Sequence, residues 1–348
     1  MLRALVIGVS ALVTAWPVLA GECGADFDKA AYGFVIENDY FAGTDQNYTT
    51  GLRVSMTNPP VIYPVTDKMR DWFADRVLQA DTSKATVDVG AEFAIGQSIY
   101  TPASRGASPP PPDEHPYAGY LYLELATFAH RCAPNILGME EATILDTFNV
   151  QLGVVGPASG AEWVQDHFHD LIQDDRLAGW DYQLKNEPAL AVSFERKYFI
   201  PLVGDVQQGL GVDLVPNVGM TMGNVLIQGS VGATLRLGWS LKSSLGPARV
   251  RPAIGGPSVY ESDRWLAGYF FIGAGGRAVA HNIFLDGNTF RDGPSVKKRH
   301  FVDDVQAGLV VQVQDVIVSF TVVSRGKEFV TQKDRQRFGA ISLVWRID

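Results

Sequence analysis

The sequence predicts an all-β protein, an antiparallel transmembrane β-barrel of about twelve strands with short helices in its connecting loops. Apolar and polar residues alternate with a period of two in segment after segment of the chain. Many of these segments have the length of about ten residues that crosses a bilayer at a tilt. The chain also begins like an exported protein. Together these observations favour the outer membrane of a Gram-negative cell, with a soluble β-sandwich as the alternative fold.

Residues 1–20 are predicted to be a signal peptide. Arg3 supplies the positive charge, an apolar stretch follows over 4–15, and Ala20 ends the predicted cleavage site. No linker rich in Pro, Ser or Gly divides the remainder. We therefore expect residues 21–348 to form one outer-membrane barrel, since large barrels run long as single domains.

Charge and cysteine content limit the classes of partner. The net charge of −9 argues against nucleic acid. Cys23 and Cys132 are the two cysteines, and in an oxidising compartment they either pair or stay apart; the sequence leaves this open. No cluster of Cys and His residues indicates a structural zinc site.

Residues 32–56 predict a strand, a polar loop and a second strand. Asp39 has the parity of the polar positions of the first strand, and Thr49 has that of the polar positions of the second. This parity predicts that the Asp39 carboxylate and the Thr49 hydroxyl meet on the polar face of the hairpin, with Asn38 beside them. A loop that uses Asp and Asn only to form turns is the alternative.

Further alternating segments extend to the C-terminus, and an amphipathic helix is predicted over 65–80. The predicted strands cover 89–96, 120–126, 148–154, 190–195, 210–214, 233–240, 305–312, 316–322 and 341–345, with less regular strands over 215–222 and 266–279. Aromatic residues near strand ends are interpreted as girdles at the membrane interfaces: Tyr32, Tyr120, Phe128, Tyr198, Phe199, Trp239 and Tyr269.

The second chemically distinctive stretch is 156–187. Ser159 is predicted to cap a helix that runs from residue 160 to about residue 173. On this helix Gln165 and His169 are four residues apart and share a face. His167 points off that face and is predicted to be solvated.

Several spaced motifs resemble the outer-membrane lipid A deacylase family. They follow one another in order from about residue 31 to the last strand: E-N-D-x-x-x-G-T-D-x-x-Y-T-x-G from residue 37, Q-x-x-Y-T-P from 97, P-Y-A-G from 116, G-P-x-x-G-x-x-x-x-Q-x-x-x-H from 156, W-x-x-Q-L-x-N-E from 180 and D-G-N-T-F from 286. In this resemblance Gln165 and His169 fall on the functional Gln and His of the family. Asp175 falls where a member can carry an active-site Glu, and His115 stands where an Arg is expected.

The resemblance implies hydrolysis of the ester-linked 3′-acyl chains of lipid A. The sequence has no G-x-S-x-G motif, so direct attack by water is the simpler mechanism. His169 is then the expected general base, with Gln165 orienting the water or the imidazole. Asn38 is a candidate donor to the oxyanion.

The resemblance also implies dependence on Ca²⁺. Asp39, Thr49 and Asp175 are the expected ligands, because this ion prefers oxygen donors and can polarise an ester carbonyl. The expected partner is lipid A or lipopolysaccharide, bound by a membrane-embedded monomer. Basic side chains that either meet lipid A phosphates or are simply solvated are Lys185, Arg196 and Lys197.

Two other functions remain open at this stage. An outer-membrane phospholipase would share the site and differ in the groove beside it. A non-catalytic barrel or channel would leave Asp39, Thr49 and His169 apart, because nothing would require them to converge.

Overall fold

The computed structural model describes residues 30–42, 47–58, 68, 71–72, 87–132, 142–173, 175–247 and 265–347. Within these residues twelve antiparallel strands close a single barrel, which confirms the predicted fold and excludes the sandwich. The strands are β1 (Ala30–Asn38), β2 (Asn47–Thr57), β3 (Val87–Thr101), β4 (Ala118–Cys132), β5 (Thr143–Val155), β6 (Glu187–Gly204), β7 (Leu210–Gly223), β8 (Leu226–Trp239), β9 (Leu266–Asn282), β10 (Phe301–Val313), β11 (Val316–Arg325) and β12 (Gln336–Ile347).

Each strand pairs with its neighbours in sequence, and β1 pairs with β12 to complete the barrel. The prediction of two strands over 210–222 is wrong, because β7 runs unbroken from Leu210 to Gly223. Joining them brings the predicted strands to the observed number. The predicted signal peptide and Cys23 lie outside the described residues, so cleavage stays a prediction and the pairing of Cys23 with Cys132 stays open.

The barrel is apolar outside and polar inside. On β1 the side chains of Tyr32 and Phe34 are exposed, whereas the alternate residues Gly33 and Val35 are buried. Lipid solvates apolar side chains, so exposure on this outer face is favourable in a membrane. The parity of a strand position therefore indicates whether its side chain points outward or into the barrel.

The inner face carries charged groups that neutralise one another. Buried Arg53 contacts Glu92 and lies 2.6 Å, from Nη2 to Oε1, from Glu124. Gln151 also donates a hydrogen bond to Glu124, at 2.6 Å. Charged groups inside a barrel need such partners, because water is scarce there.

A cluster of aromatic side chains fills the interior near one end, and we call it the aromatic plug. Its members are Tyr48, Tyr100, Tyr120, Tyr122, Phe284 and Phe338. Phe284 comes from a short helix, Ile283–Asp286, which is the second α-helix of the described chain and is called α2. Its ring stacks on the ring of Tyr100, with 4.2 Å between the ring centroids. The plug is buried in the barrel interior at this level.

The plug corrects part of the predicted aromatic girdles. Tyr32 and Trp239 are exposed on the outer face as predicted. Tyr120, Phe128, Phe199 and Tyr269 are instead buried. The inward parity of Tyr120 and Phe128 on β4 places them in the interior, where they pack rather than meet lipid headgroups.

The long connections that concern function leave one end of the barrel. The β5–β6 connection carries α1 (Ala161–Ile172) and leaves the same end as the β1–β2, β3–β4 and β9–β10 connections, because strand direction alternates. We call this the α1 end; β1 begins and β12 ends at the opposite end. No helix in the described part of the chain is long and apolar enough to cross a membrane. Of the predicted helix over 65–80, the described residues include only Lys68, Asp71 and Trp72.

Candidate active site

The site begins where β1 ends. Asn38 has the parity of Tyr32 and Phe34, so its side chain leaves the outer face of the wall. Its Nδ2 donates to Thr50 Oγ1 at 2.9 Å, and its Oδ1 accepts from the backbone N–H of Tyr40 at 2.7 Å. The second bond is an Asx turn, which stops the strand.

Asp39 is the first residue of the 3₁₀ turn that follows, Asp39–Ala42. Its side chain is fully buried. The predicted parity of Asp39 therefore does not apply, because the period of two ends with the strand at Asn38.

A β-bulge displaces Thr49. Tyr48 pairs with Tyr100 and Thr50 pairs with Ile99, so Thr49 is an extra residue on β2. Thr49 Oγ1 lies 2.7 Å from Thr101 Oγ1, and Thr101 has the parity of the lipid-exposed Ile95.

The predicted inner position of Thr49 is therefore wrong. The bulge turns the Thr49 hydroxyl to the outer face, and the inner position opposite Tyr100 goes to Tyr48, which donates to Glu37 Oε2 at 3.0 Å. A bulge cannot be read from alternation, since it interrupts the alternation by one residue.

Helix α1 begins differently from the prediction. Its N-cap is Gly160 in the left-handed conformation, with φ 68° and ψ 16°, and no side chain caps it. Ser159 instead belongs to a preceding 3₁₀ turn, Pro157–Ser159, and its Oγ donates to the Gly156 carbonyl at 2.6 Å. The capping prediction for Ser159 is wrong, because the turn at Pro157 engages its hydroxyl first.

Helix α1 lies against the outer face of the wall. Gln97 Nε2 donates to the Ser159 carbonyl at 2.7 Å. Ile99 packs with Ala161, and a Cβ on Gly119 would overlap Ser159 and Ala161. Gln97 and Ile99 have the parity of the exposed Ile95, and Gly119 has that of the exposed Leu123. The helix is therefore outside the barrel, beside the strand that carries Thr101.

The two candidate residues of α1 lie on its buried face. Gln165 and His169 are each 2% exposed, whereas His167 is exposed as predicted. Neither Oε1 nor Nε2 of Gln165 finds a hydrogen-bond partner among the described residues. Buried amides without a partner are rare and costly, and they mark places where a substrate, water or ion completes the bonding.

The tautomer of His169 follows from its neighbour. His169 Nδ1 lies 2.6 Å from the backbone carbonyl oxygen of Asp175. A carbonyl oxygen can only accept, so Nδ1 carries a hydrogen. In the neutral tautomer that has this hydrogen, Nε2 is the nitrogen with the lone pair.

Asp175 thus enters the site through its backbone, while its side chain is exposed. The turn that carries it is held to α1 by Arg176, whose Nε and Nη2 donate to the Asp170 carboxylate at 3.0 and 2.5 Å. The Arg176 guanidinium lowers the pKa of Asp170. Asp174 lies outside the described residues.

Three side chains near the barrel wall carry oxygen atoms of the kind that bind a hard cation. Asp39 offers a buried carboxylate, and Thr49 and Thr101 offer hydroxyls. Within the described ranges, no three His, Cys, Asp or Glu side chains converge where a metal ion could sit. Any Ca²⁺ here would therefore be held by one or two carboxylates completed by hydroxyls, carbonyls and water.

His115 is buried and packs against the aromatic plug rather than forming an anion contact. Its ring is stacked on Tyr100 at 5.3 Å, with an angle of 4° between the planes, and its Nδ1 donates to the Pro116 carbonyl at 2.8 Å. Burial lowers the pKa of His115, which favours the neutral ring.

Two of the three basic candidates for phosphate contacts are occupied elsewhere. Arg196 Nε lies 2.6 Å from Asp146 Oδ1, and Lys197 Nζ lies 3.3 Å from Glu195 Oε2. Lys185 is exposed at the α1 end. Its backbone N–H and carbonyl are both bonded to the Asn288 side chain, at 3.0 and 2.8 Å.

Sequence reasoning missed four residues that build the site: Thr50, Thr101, Gln97 and Gly119. Thr50 and Thr101 fix Asn38 and Thr49, and Gln97 and Gly119 receive α1. All four lie within the spaced motifs at 37–51, 97–102 and 116–119. Their roles become visible only once the outer parity of each strand end is known.

A family model and a solved structure agree with the architecture. A model of the family described as LpxR, outer membrane protein LpxR, matches residues 5–347. Among solved structures, LpxR from Salmonella typhimurium has 19% sequence identity and a TM-score of 0.69, covering 90% of this chain and 99% of that chain. The β domain of the Bordetella autotransporter BrkA has 7% identity and a TM-score of 0.46, covering 92% of this chain and 100% of that chain. No curated protein matches the chain in a sequence search.

Proposed function

The chain belongs to the LpxR family of outer-membrane proteins, and from this premise we propose that it is a lipid A 3′-O-deacylase. It would hydrolyse the ester-linked 3′-acyl chains of lipid A. One observation carries the proposal: the buried pair Gln165 and His169 is held on the outer, lipid-facing side of the barrel wall. A catalytic group in that place meets membrane lipids and no solute that passes through the barrel.

The position of the site along the membrane normal also supports a lipid A substrate. Strand β1 begins and strand β12 ends at the end of the barrel opposite the α1 end. An exported barrel inserts from the periplasm, so we place those ends in the periplasm and α1 at the outer leaflet. Lipid A occupies that leaflet of a Gram-negative outer membrane.

The alternative of a channel receives little support. The aromatic plug fills the interior at the level of the site, and charged pairs such as Arg53 with Glu124 occupy the interior below it. The elements that carry Thr49 and His169 both lie beside strand β3 on the outer wall. Asn38 is bonded to Thr50, Thr49 to Thr101, and α1 packs on β3 two residues from Thr101.

His169 is the proposed general base. Nε2 accepts a proton from a water molecule while the water oxygen attacks the carbonyl carbon of the ester. The tetrahedral intermediate then collapses, the C–O bond to the sugar breaks, and the proton on Nε2 passes to the departing alkoxide. The products are a free fatty acid and the 3′-hydroxyl compound, and His169 is regenerated.

The two amides have complementary proposed roles. Gln165 has no partner among the described residues, so its carboxamide is available to orient the attacking water. Asn38 uses one N–H for Thr50 and can direct the other at the oxyanion. Each group is already positioned before the substrate arrives.

A calcium ion is the proposed cofactor. Asp39 and Thr49 would hold it, with Asp175 as a further candidate whose exposed side chain would have to turn toward the wall. When bound, such an ion supplies Lewis acidity to the ester carbonyl. We propose a monomer, since the site is assembled within one chain.

A phospholipase is the second candidate function, because a site on the lipid-facing wall is open to either lipid. We favour lipid A because the spaced motifs and the family match extend over nearly the whole chain.

Mass spectrometry of lipid A from cells with and without the protein tests the proposal, with calcium added and then chelated. We expect loss of the mass of the 3′-linked acyl group only when both protein and calcium are present. An unchanged lipid A profile with new lysophospholipid would identify a phospholipase. No change in either lipid, with the protein inserted, would contradict the hydrolase.

A further inference from the structure

The exposed face of α1 is divided into an apolar and an acidic edge. At about 100° per residue, Trp163, His167 and Leu171 follow one another within an arc of about 80°. The acidic residues of the same face occupy the neighbouring arc: Glu162, Asp166 and Asp170. Trp163 is 65% exposed and Leu171 is 79% exposed, although large apolar side chains normally avoid water.

Two residues of the apolar edge contact each other. The ring of Trp163 lies 4.1 Å from the ring of His167, and His167 Nδ1 donates to the Trp163 carbonyl at 2.7 Å. The imidazole is thereby turned against the indole, with an angle of 36° between the two ring planes, and Leu171 follows one turn further along the helix.

The helix that carries the apolar edge lies beside the lipid-facing surface of the barrel. The opposite face of α1 packs on Ile99 and Gly119, at the α1 ends of β3 and β4. Further from that end, on the same outer face of these strands, Ile95 is 45% exposed and Leu123 is 49% exposed. Nothing but lipid covers such residues in a membrane, so α1 lies directly above the surface that lipid chains contact.

We propose that the Trp163–Leu171 edge of α1 inserts into the acyl chains of the outer leaflet. Helices with one apolar and one charged edge lie in the plane of the interface, with the apolar edge among the chains and the charged edge in water. Tryptophan favours that depth. Insertion would hold the helix that carries Gln165 and His169 at the level of the ester groups of the lipids.

Tryptophan fluorescence in vesicles tests this without any reference to hydrolysis. The full chain and its Trp163→Phe variant are reconstituted into phospholipid vesicles with brominated or ordinary acyl chains. The difference between the two spectra isolates Trp163 from the other tryptophans. We expect the bromine atoms to quench this difference at least twofold and aqueous iodide to leave it unchanged.

Trp239 supplies the matched positive control, because it is exposed on the outer face at the end of β8. The Trp239→Phe difference should respond to brominated chains under all conditions. A Leu171→Asp variant, checked for a folded barrel by its shift in gel mobility on heating, should make the Trp163 signal accessible to iodide.

Two results would overturn the proposal. Quenching of the Trp163 signal by iodide but not by bromine would place the edge in water. Protection from both quenchers would mean that protein covers the edge, from a second copy or another partner. Both outcomes are independent of whether the chain hydrolyses lipid A.

Discussion

At the scale of residues, the site depends on groups whose bonding is fixed before any substrate binds. The Asp175 carbonyl can only accept, so it selects the His169 tautomer with a basic Nε2. The carboxamide of Gln165, by contrast, is buried and has no partner among the described residues. One residue is held and the other is kept available, which is what the proposed activation of water requires.

The unsatisfied amide gives a prediction that separates function from stability. Gln165→Met replaces the carboxamide by an apolar chain of similar size, and a buried polar group without a partner costs about 1–3 kcal/mol. We expect the variant to be as stable as the wild type or more stable, while hydrolysis falls by about 10²-fold. Thermal unfolding and initial rates measure the two effects. A variant that is much less stable would mean that Gln165 is bonded in the resting protein.

Asp39 carries the prediction about the metal. Asp39→Ala removes a fully buried carboxylate from the turn that follows β1, so we expect a higher calcium concentration for half-maximal activity. Thr50→Ala is the matched control, since it removes a neighbouring hydroxyl that is bonded to Asn38. A calcium titration of both variants decides the matter. An Asp39→Ala response equal to that of the wild type would remove Asp39 from the metal site.

The motifs indicate candidate residues for the site, and their arrangement could be predicted only in part. Gln165, His169 and Asn38 were predicted to be functional, and the first two share the buried face of α1 as expected. Thr49 was placed on the wrong face, because alternation contains no sign of the bulge beside it. Its correct partner, Thr101, is remote in sequence and becomes visible only through strand pairing.

At the scale of elements, helix α1 and strands β3 and β4 form one unit. The close approach of the helix depends on Gly119, because any side chain there would occupy the space of Ser159 and Ala161. Alternation predicted these strands. The outer docking of the helix was not predictable, since it requires the parity of Gln97, Ile99 and Gly119 at once.

Gly119→Ala tests this docking. We expect α1 to shift from the wall and hydrolysis to fall by about 10²-fold, because displacements of about 1 Å have that effect on catalytic groups. The barrel itself should remain folded and keep its heat-dependent gel mobility. Gly229→Ala is the control, because a Cβ there meets nothing within 4 Å. Wild-type activity in the Gly119→Ala variant would mean that the contact is not needed.

At the scale of the whole molecule, the fold is defined by an apolar outer face and a polar inner face. These two faces were predictable from the period of two and from the length of the segments. The aromatic plug was not, because an aromatic residue near a strand end suits the interface as well as the interior. Tyr120 and Phe128 were predicted to meet headgroups, whereas their parity directs them inward.

We expect the free energy of unfolding to depend on pH through His115, which packs against the plug. Burial lowers the pKa of His115, so the folded protein binds its proton less readily than the unfolded chain, whose pKa is about 6.5. The contribution of the neutral ring is therefore complete above that pH and is lost as the pH falls through the lowered value. We expect the unfolding temperature to drop more between pH 7.5 and about pH 5 in the wild type than in His115→Phe. Equal drops would exclude His115 as the source.

The account as a whole depends on His169 acting as a base at the outer wall. Initial rates of lipid A deacylation in vesicles, with the wild type, His169→Ala and His167→Ala, test it most directly. We predict a loss of about 10²–10⁴-fold for His169→Ala and a rate within about twofold of the wild type for His167→Ala, which is on the exposed face of the same helix. Full activity of a folded, inserted His169→Ala variant would contradict the account.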